Sequence, residues 1–453
     1  MYEIILGRDL GDKELFGDRG TIFLGKHYVT MGKTTSLSNK VMIDVVKPHV
    51  ILIAGKRGGG KSYSMAVIAE GMAKMEPEIF KNIGVLMMDT MGIFWTTKYP
   101  NYRQDELLND WGLKPEAFDN VVKVFMPFGH FDDLKGKGIP VDEKFSLRIS
   151  EISDQEWVNV FNLKAVDPIA VVLTKAITRL MEDGKSFGFS EIFEIIEKDK
   201  DSSSEAKGAA KSLFVTAKSW GIFDKEGTPL KQLVVGGRIS VLDLSPYAHT
   251  AGTYSIRALV VGLLSKMILT ERMAARRIEE LADIEKGWSF FEMDYGKKAE
   301  KSVPLVWIFI DEAHEFLPEN ASTPATAALI QLIREGRQPG ISVVLATQQP
   351  GKIHSDVMTQ SDIVISTRIT SKLDIGALNA IMQSYLPGAI SKFFDRLPAR
   401  KGSAIVLDDK LEKMYPIQIR PRMSWHGGRE TSALKEKRDL GKIIRGIGRI
   451  DKK

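Results

Sequence analysis

Four apolar runs set the frame of this chain. They are Val50-Ile51-Leu52-Ile53-Ala54, Gly84-Val85-Leu86-Met87-Met88, Pro304-Leu305-Val306-Trp307-Ile308-Phe309-Ile310 and Ile341-Ser342-Val343-Val344-Leu345-Ala346. Hydrophobicity that is nearly continuous rather than alternating marks strands covered on both faces, as in a parallel sheet. Tyr63 to Glu70, between the first two runs, reads as a helix, so the pair predicts a βαβ unit. Residues 1–45 carry only short β-type runs, Gly20 to Gly25 and Lys40 to Val45, and predict a small N-terminal β module. From about residue 100 to 300 the pattern changes. Val121 to Met126 and Phe145 to Ile152 look like strands. Helical periodicity then fills Asp154 to Phe161, Pro168 to Met181, Ser190 to Glu197 and Ser204 to Trp220, with Lys198 to Ser203 as a solvated loop. Arg238 to Leu244 returns to strand character, and Tyr254 to Ile284 reads as a long helix, apolar first and charged later. A helix from Thr323 to Glu335 closes on Gly336 as a C-cap. Asp362 to Ile369, Gly402 to Leu407 and Pro416 to Arg420 complete the strands.

These elements predict an α/β protein with a mostly parallel sheet. The expected division is a β module over 1–45, a core over 46–100 and 238–425, a largely helical insertion over 101–237, and a basic C-terminal arm over 426–453. No internal repeat interrupts this reading. At 453 residues, 43% apolar and 27% charged, the chain is long enough for one large core or two to three smaller ones. The absence of cysteine excludes disulfides and thiolate metal sites. No basic stretch followed by an apolar core opens the chain, and Ala258 to Leu269 is too short and too interrupted to span a bilayer, so a cytoplasmic protein with no membrane partner is expected. A net charge of +5 permits a nucleic-acid partner without demanding one.

Chemistry enters between the first strand and its helix. Gly55-Lys56-Arg57-Gly58-Gly59-Gly60-Lys61-Ser62 fits GxxxxGK[ST] at every fixed position, with a buried strand before it and a helix after it. That arrangement aims backbone N–H groups and the positive end of a helix dipole at a phosphate chain. Residues 55 to 63, Tyr63 included, are the expected nucleotide-binding set for ATP. Lys61 would reach the β- and γ-phosphates, and the Ser62 hydroxyl would ligate Mg²⁺. The third strand ends in Asp311-Glu312-Ala313-His314. Asp311 is the expected second Mg²⁺ ligand and Glu312 the expected general base for the attacking water. An acidic helix cap is the bland alternative for this pair. The fourth strand ends in Thr347-Gln348-Gln349-Pro350, and Gln348 is the expected γ-phosphate sensor, the alternative being a turn before Pro350. Arg334 and Arg337 are candidates for an arginine acting across a subunit boundary, or else surface cations at a helix end. Ser371-Lys372-Leu373-Asp374 superficially resembles the guanine-reading element of GTPases, but it begins with Ser rather than Asn, and a base placed like Glu312 favours ATP. Lys135-Gly136-Lys137-Gly138 reads as a basic loop that either faces a nucleic-acid backbone or is an ordinary surface turn.

With the loop, the Asp-Glu strand and the Gln strand in that order, the chain resembles P-loop NTPases with a RecA-like core, and among them the HerA–FtsK superfamily. The closer resemblance is to the archaeal HerA-like DNA translocases. It covers most of residues 40 to 425 and includes Asp89-Thr90-Met91-Gly92 and Arg334-Glu335-Gly336-Arg337. Ile93 stands where the family usually has a carboxylate, and Gln349 where it commonly has arginine. The resemblance implies a homohexameric ring that pulls double-stranded DNA through a central channel by ATP hydrolysis, often beside a NurA-type nuclease in DNA-end processing. Arg429 to Lys453 resembles the arm by which such subunits brace their neighbours, the alternative being a solvated basic tail. Two other functions fit the same residues: an ATP-dependent switch or assembly ring gripping a protein partner, and a conjugation-type secretion ATPase.

Overall fold

The computed structural model describes residues 3–31, 34–248, 254–289, 303–369, 371–382, 393–394 and 397–428. In chain order its strands are β1 (Ile4–Leu6), β2 (Thr21–Met31), β3 (Thr34–Asp44), β4 (Val50–Ala54), β5 (Ile83–Asp89), β6 (Val122–Pro127), β7 (Glu143–Phe145) and β8 (Leu147–Arg148). They continue as β9 (Phe223–Asp224), β10 (Arg238–Asp243), β11 (Leu305–Ile310), β12 (Ile341–Thr347), β13 (Ile363–Thr367), β14 (Ser403–Asp408) and β15 (Lys413–Ile419). Among the described residues, thirteen of these join one sheet in the order β1-β3-β2-β15-β14-β13-β4-β12-β11-β5-β10-β6-β7. From β13 to β7 every neighbouring pair is parallel. From β13 through β14, β15 and β2 to β3 the pairing is antiparallel.

The continuous apolar runs are explained by two cores, one on each face of the sheet. In β4, Val50, Leu52 and Ala54 face one core, and Ile51 and Ile53 face the other. The helix Lys61–Ala73 contributes Met65, Val67, Ile68 and Met72 to the second core. The helices Asp154–Val160, Pro168–Glu182, Phe189–Lys198 and Ser204–Ser219 pack into the first, around the fully buried Trp157.

Several expectations change. The residues read as a small β module are not a separate layer, because β2 hydrogen-bonds to β15 and continues the main sheet. Val121 to Met126, read as part of the insertion, supplies β6, which pairs in parallel with β10 inside the sheet. Val122, Val124 and Met126 face one core and Phe125 the other, so the strand is covered on both faces by the main sheet's two cores. Phe145 to Ile152 is not one strand: it breaks into β7, β8 and a 3₁₀ turn at Ile149–Glu151. Gly336 does cap its helix as expected, though with a right-handed backbone. Its φ is −66°, and its N–H bonds the Leu332 carbonyl at 2.8 Å. Lys135 to Gly138 is not a free basic loop, since Phe128–Gly136 is helical and Lys137 pairs with Asp133 at 2.7 Å. The long helix runs to Ser289. Among the described residues, no helix is long and apolar enough to cross a membrane. The basic arm from Arg429 onward lies outside the described residues.

Candidate nucleotide-binding and hydrolysis site

The parallel strands bring their carboxyl ends to one edge, where ligands of open α/β sheets bind. β12 lies between β4 and β11, so the loop after β4, the polar end of β12 and the carboxylates after β11 meet there. Gly58 and Gly60 take φ of 73° and 96°, a backbone that side chains disfavour, and Gly60 opens the helix Lys61–Ala73. Gly55 and Gly59 are needed for close approach. A Cβ on Gly55 would overlap the Thr367 hydroxyl of β13, and one on Gly59 would lie 2.7 Å from it. Thr367 Oγ1 in turn donates to the Ala54 carbonyl at 3.3 Å. Lys56 and Arg57 project to solvent.

Lys61 is buried at the start of that helix. Burial pulls its ammonium pKa down, and the charges of Glu312 and Asp311 oppose that pull. Ser62 Oγ donates to Asp311 Oδ2 at 2.6 Å. Burial raises the Asp311 carboxyl, partly offset by the Ser62 bond. One hydroxyl and one carboxylate side by side form a hard-oxygen donor pair that fits Mg²⁺, which usually takes one or two carboxylates and completes its shell with phosphates and water.

Glu312 leaves β11 in a left-handed conformation (φ 50°, ψ 45°), which costs roughly 1–2 kcal/mol for a residue with a Cβ. The turn sends the chain into the 3₁₀ segment Ala313–Glu315. Gln348 Nε2 donates to Glu312 Oε1, so the two residues expected as base and sensor are in direct contact. His314 completes the group. Its Nδ1 lies 3.5 Å from Glu312 Oε2 and 3.3 Å from Thr347 Oγ1, and burial lowers its pKa, favouring the neutral ring.

Other expected residues lie elsewhere. Tyr63 turns its hydroxyl away from the loop: it accepts the Arg422 N–H at 2.6 Å and donates to Gln104 at 3.1 Å. Arg334 pairs with Asp356 at 2.7 Å, and Arg337 pairs with Asp362. Both arginines precede β12, whose first residue is Ile341, so they sit toward the amino edge of the sheet and away from their own phosphate loop.

Sequence reasoning missed three features of the site: His314, Thr367, and the acid pair Asp89 and Asp243. Thr367 was signalled by a polar end on an otherwise apolar strand. The acid pair depends on register: Asp243 of β10 stands opposite Asp89 of β5, one strand from Asp311. Asp89 accepts the N–H groups of Met91, Gly92, Ile93 and Phe94 at 2.7–3.1 Å, which makes the Asp-x-x-Gly turn an anion nest filled by its own acid. Burial, then the Asp243 carboxylate, push Asp89 up to about 8, and burial also raises Asp243.

Comparison with known proteins agrees with this geometry. The family described as "Helicase HerA, central domain" matches residues 24–268, and "Zonular occludens toxin (Zot)" matches residues 260–386. Over 140 residues the chain is 25% identical to the DNA double-strand break repair helicase HerA of Pyrococcus furiosus, covering 30% of this chain and 25% of that protein. Over 125 residues it is 29% identical to the "Probable DNA double-strand break repair helicase HerA" of Methanocaldococcus jannaschii, covering 25% of this chain and 24% of that one. The match therefore spans about a quarter of the length of each curated relative. The solved structure of VirB4 from Thermoanaerobacter pseudethanolicus superimposes with a TM-score of 0.53 at 13% identity, over 93% of this chain and 99% of that one, and so shares the fold. Because the HerA central-domain match takes in more than half of the chain and ends in the long helix that leads to the Asp-Glu strand, this protein belongs to the HerA helicase family of P-loop ATPases.

Proposed function

We propose that this chain hydrolyses Mg²⁺-ATP and, as a homohexamer, uses that energy to move along double-stranded DNA in DNA-end processing, beside a NurA-type nuclease. One observation carries the hydrolytic part: Lys61, Ser62, Asp311, Glu312 and Gln348 converge on one sheet edge, with base and sensor in contact. The glycine-rich backbone would cradle the triphosphate, and Lys61 would neutralise its β- and γ-oxygens. Ser62 and Asp311 would hold Mg²⁺, which when bound offsets the charge on the transferring phosphoryl group. Glu312 takes the proton of the attacking water. With the Gln348 amide on Oε1, one oxygen of that base is engaged. Moving the amide onto a γ-phosphate oxygen frees it, so hydrolysis waits for ATP to be seated. The DNA-moving part is supported by the family match and by the similarity to the two HerA double-strand break repair helicases.

The test is turnover with and without linear duplex DNA, in the native sequence and in Glu312→Gln. The variant should bind ATP and lose about 10²- to 10⁴-fold in kcat, the usual worth of a general base. A fast Glu312→Gln removes Glu312 from the role. Turnover that ignores duplex DNA, with no salt-dependent DNA binding, replaces the translocase with a ring acting on a protein partner. A light-scattering mass of one chain, with ATP and DNA present, rules out the ring.

A further inference from the structure

At the amino edge of the sheet, opposite the phosphate loop, five side chains form an unbroken line of alternating charge: Arg8, Asp44, His49, Asp362 and Arg337. Arg8 Nη2 meets Asp44 Oδ1 at 2.8 Å, and Asp44 Oδ2 lies 3.9 Å from His49 Nε2. His49 Nδ1 meets Asp362 Oδ2 at 2.7 Å, and the same oxygen receives Arg337 Nη2. The first four are buried; only Arg337, with its side chain 47% exposed, reaches solvent. His49, Asp362 and Arg337 stand before β4, β13 and β12, three adjacent parallel strands. β12 has seven residues, so about 20 Å of strand separates Arg337 from its own phosphate loop. If Arg337 serves catalysis, it serves a neighbouring copy.

A half-exposed arginine paired with a surface acid gains little, 0–1 kcal/mol, and is poorly fixed. Asp362 is not such an acid. Its Oδ1 accepts the Val50 N–H at 2.9 Å, and its Oδ2 is held by His49. His49 is itself pinned: its N–H donates to Ser342 Oγ at 3.1 Å, its carbonyl accepts Val343 N–H at 2.8 Å, and Gly7 at φ 77° packs on the ring where a Cβ would lie 2.5 Å from Cε1. Arg334 meets Asp356 at 2.7 Å, and the histidine behind that acid, His354, is partly exposed and 3.6 Å away, whereas His49 is fully buried and 2.7 Å from Asp362.

We infer that His49 and Asp362 are positioning residues that aim Arg337 across the subunit boundary. This rests on the proposed ring ATPase. Asp362 takes one guanidinium nitrogen and leaves the others to face a phosphate. Burial opposes a charge on His49, but the Asp362 hydrogen bond and the charges of Asp362 and Asp44 outweigh it, so the ring pKa is raised. The other charged groups facing this pocket are Arg8, Arg337 and Asp408. The aiming effect is therefore present below the ordinary histidine range and is lost as pH rises through the raised pKa.

The test is a double-mutant cycle on the assembled full chain with duplex DNA, using His49→Gln and Arg337→Ala. Arg337→Ala should lower kcat by about 10³-fold or more, the range for an arginine finger. His49→Gln should lower kcat about 10- to 100-fold with KM for ATP little changed, the cost of a misplacement on the order of 1 Å. Added to Arg337→Ala it should cost nothing further. An equal loss in both backgrounds, or no loss in either, overturns the positioning role while leaving the finger intact. Normal turnover in Arg337→Ala removes the finger and the inference with it. If His49→Gln does not fold, the pH profile decides. A falling alkaline limb of kcat should appear in the native sequence and vanish in Arg337→Ala; the same limb in both overturns the inference.

Discussion

Glu70 offers the most demanding test of how this nucleotide site is braced. It lies on the phosphate-loop helix, fully buried, and its two oxygens receive five donors from residues 420–424. Oε2 accepts Arg420 Nη1 at 3.0 Å and the Met423 N–H at 3.0 Å; Oε1 accepts Arg422 Nε at 3.3 Å, the Ser424 N–H at 3.0 Å and the Ser424 hydroxyl at 2.5 Å. Burial alone would raise this carboxyl, but the two guanidinium charges outweigh it and hold it below its ordinary value. Glu70→Ala leaves both buried arginines without a counter-charge. Arg420 keeps the Phe23 and Val67 carbonyls, and Arg422 keeps the Thr97 and Ser424 hydroxyls, so the loss is that of a broken buried pair rather than of bare ions. That is about 3–5 kcal/mol. With a urea m-value of about 3 kcal/mol/M, the unfolding midpoint should fall by about 1–1.7 M. The same segment supplies the Arg422 N–H that fixes Tyr63, next to Ser62, so ATP affinity should weaken in parallel. Because the folded pKa is lowered, the stabilisation is present above the ordinary carboxylate range and is lost as pH falls through the lowered value. The gap between native and variant midpoints should therefore close in acid. A midpoint within about 0.2 M of the native one at neutral pH, or a gap that widens in acid, would refute the reasoning.

Two further substitutions probe the phosphate loop. Lys61→Ala should abolish ATP binding or hydrolysis in a filter or turnover assay, and normal turnover would sink the assignment of the loop. Gly55→Ala puts a Cβ onto the Thr367 hydroxyl and should cost about 1–3 kcal/mol by overpacking, together with nucleotide affinity. Thr367→Ala in the same chain should restore part of both in thermal melts and ATP titrations, and a failure to rescue would move the cause away from that contact.

The phosphate loop was legible because its backbone must turn through positive φ and approach Thr367 closely, and glycine at fixed spacing is the local trace of both demands. Asp311 and Glu312 were legible because two acids after a fully apolar strand are conspicuous. Their contact with Ser62 and Gln348 follows once β12 lies between β4 and β11. What escaped depends on pairing between distant segments. β6 carries an ordinary buried pattern, but nothing local says that its partner is β10, more than a hundred residues on. Asp89 and Asp243 come to stand opposite each other only when that sheet sets their register. Glu70 looks like a surface acid on a helix until Arg420 and Arg422 arrive from 350 residues away.

The arginines show the same limit most sharply. In sequence, Arg337 stands between the Asp-Glu strand and the Gln strand and reads as part of their site. Strand direction reverses that reading. The chain leaves β11 at the carboxyl edge, descends the helix Thr326–Glu335, and enters β12 from the other end, so Arg337 emerges beside the buried His49 and Asp362. Closeness along the chain and closeness in space part company there because a parallel strand must be re-entered from its start. A chain built this way carries its phosphate loop on one edge and Arg337 on the other. In the proposed ring, the two could complete one site only if Arg337 comes from a second copy.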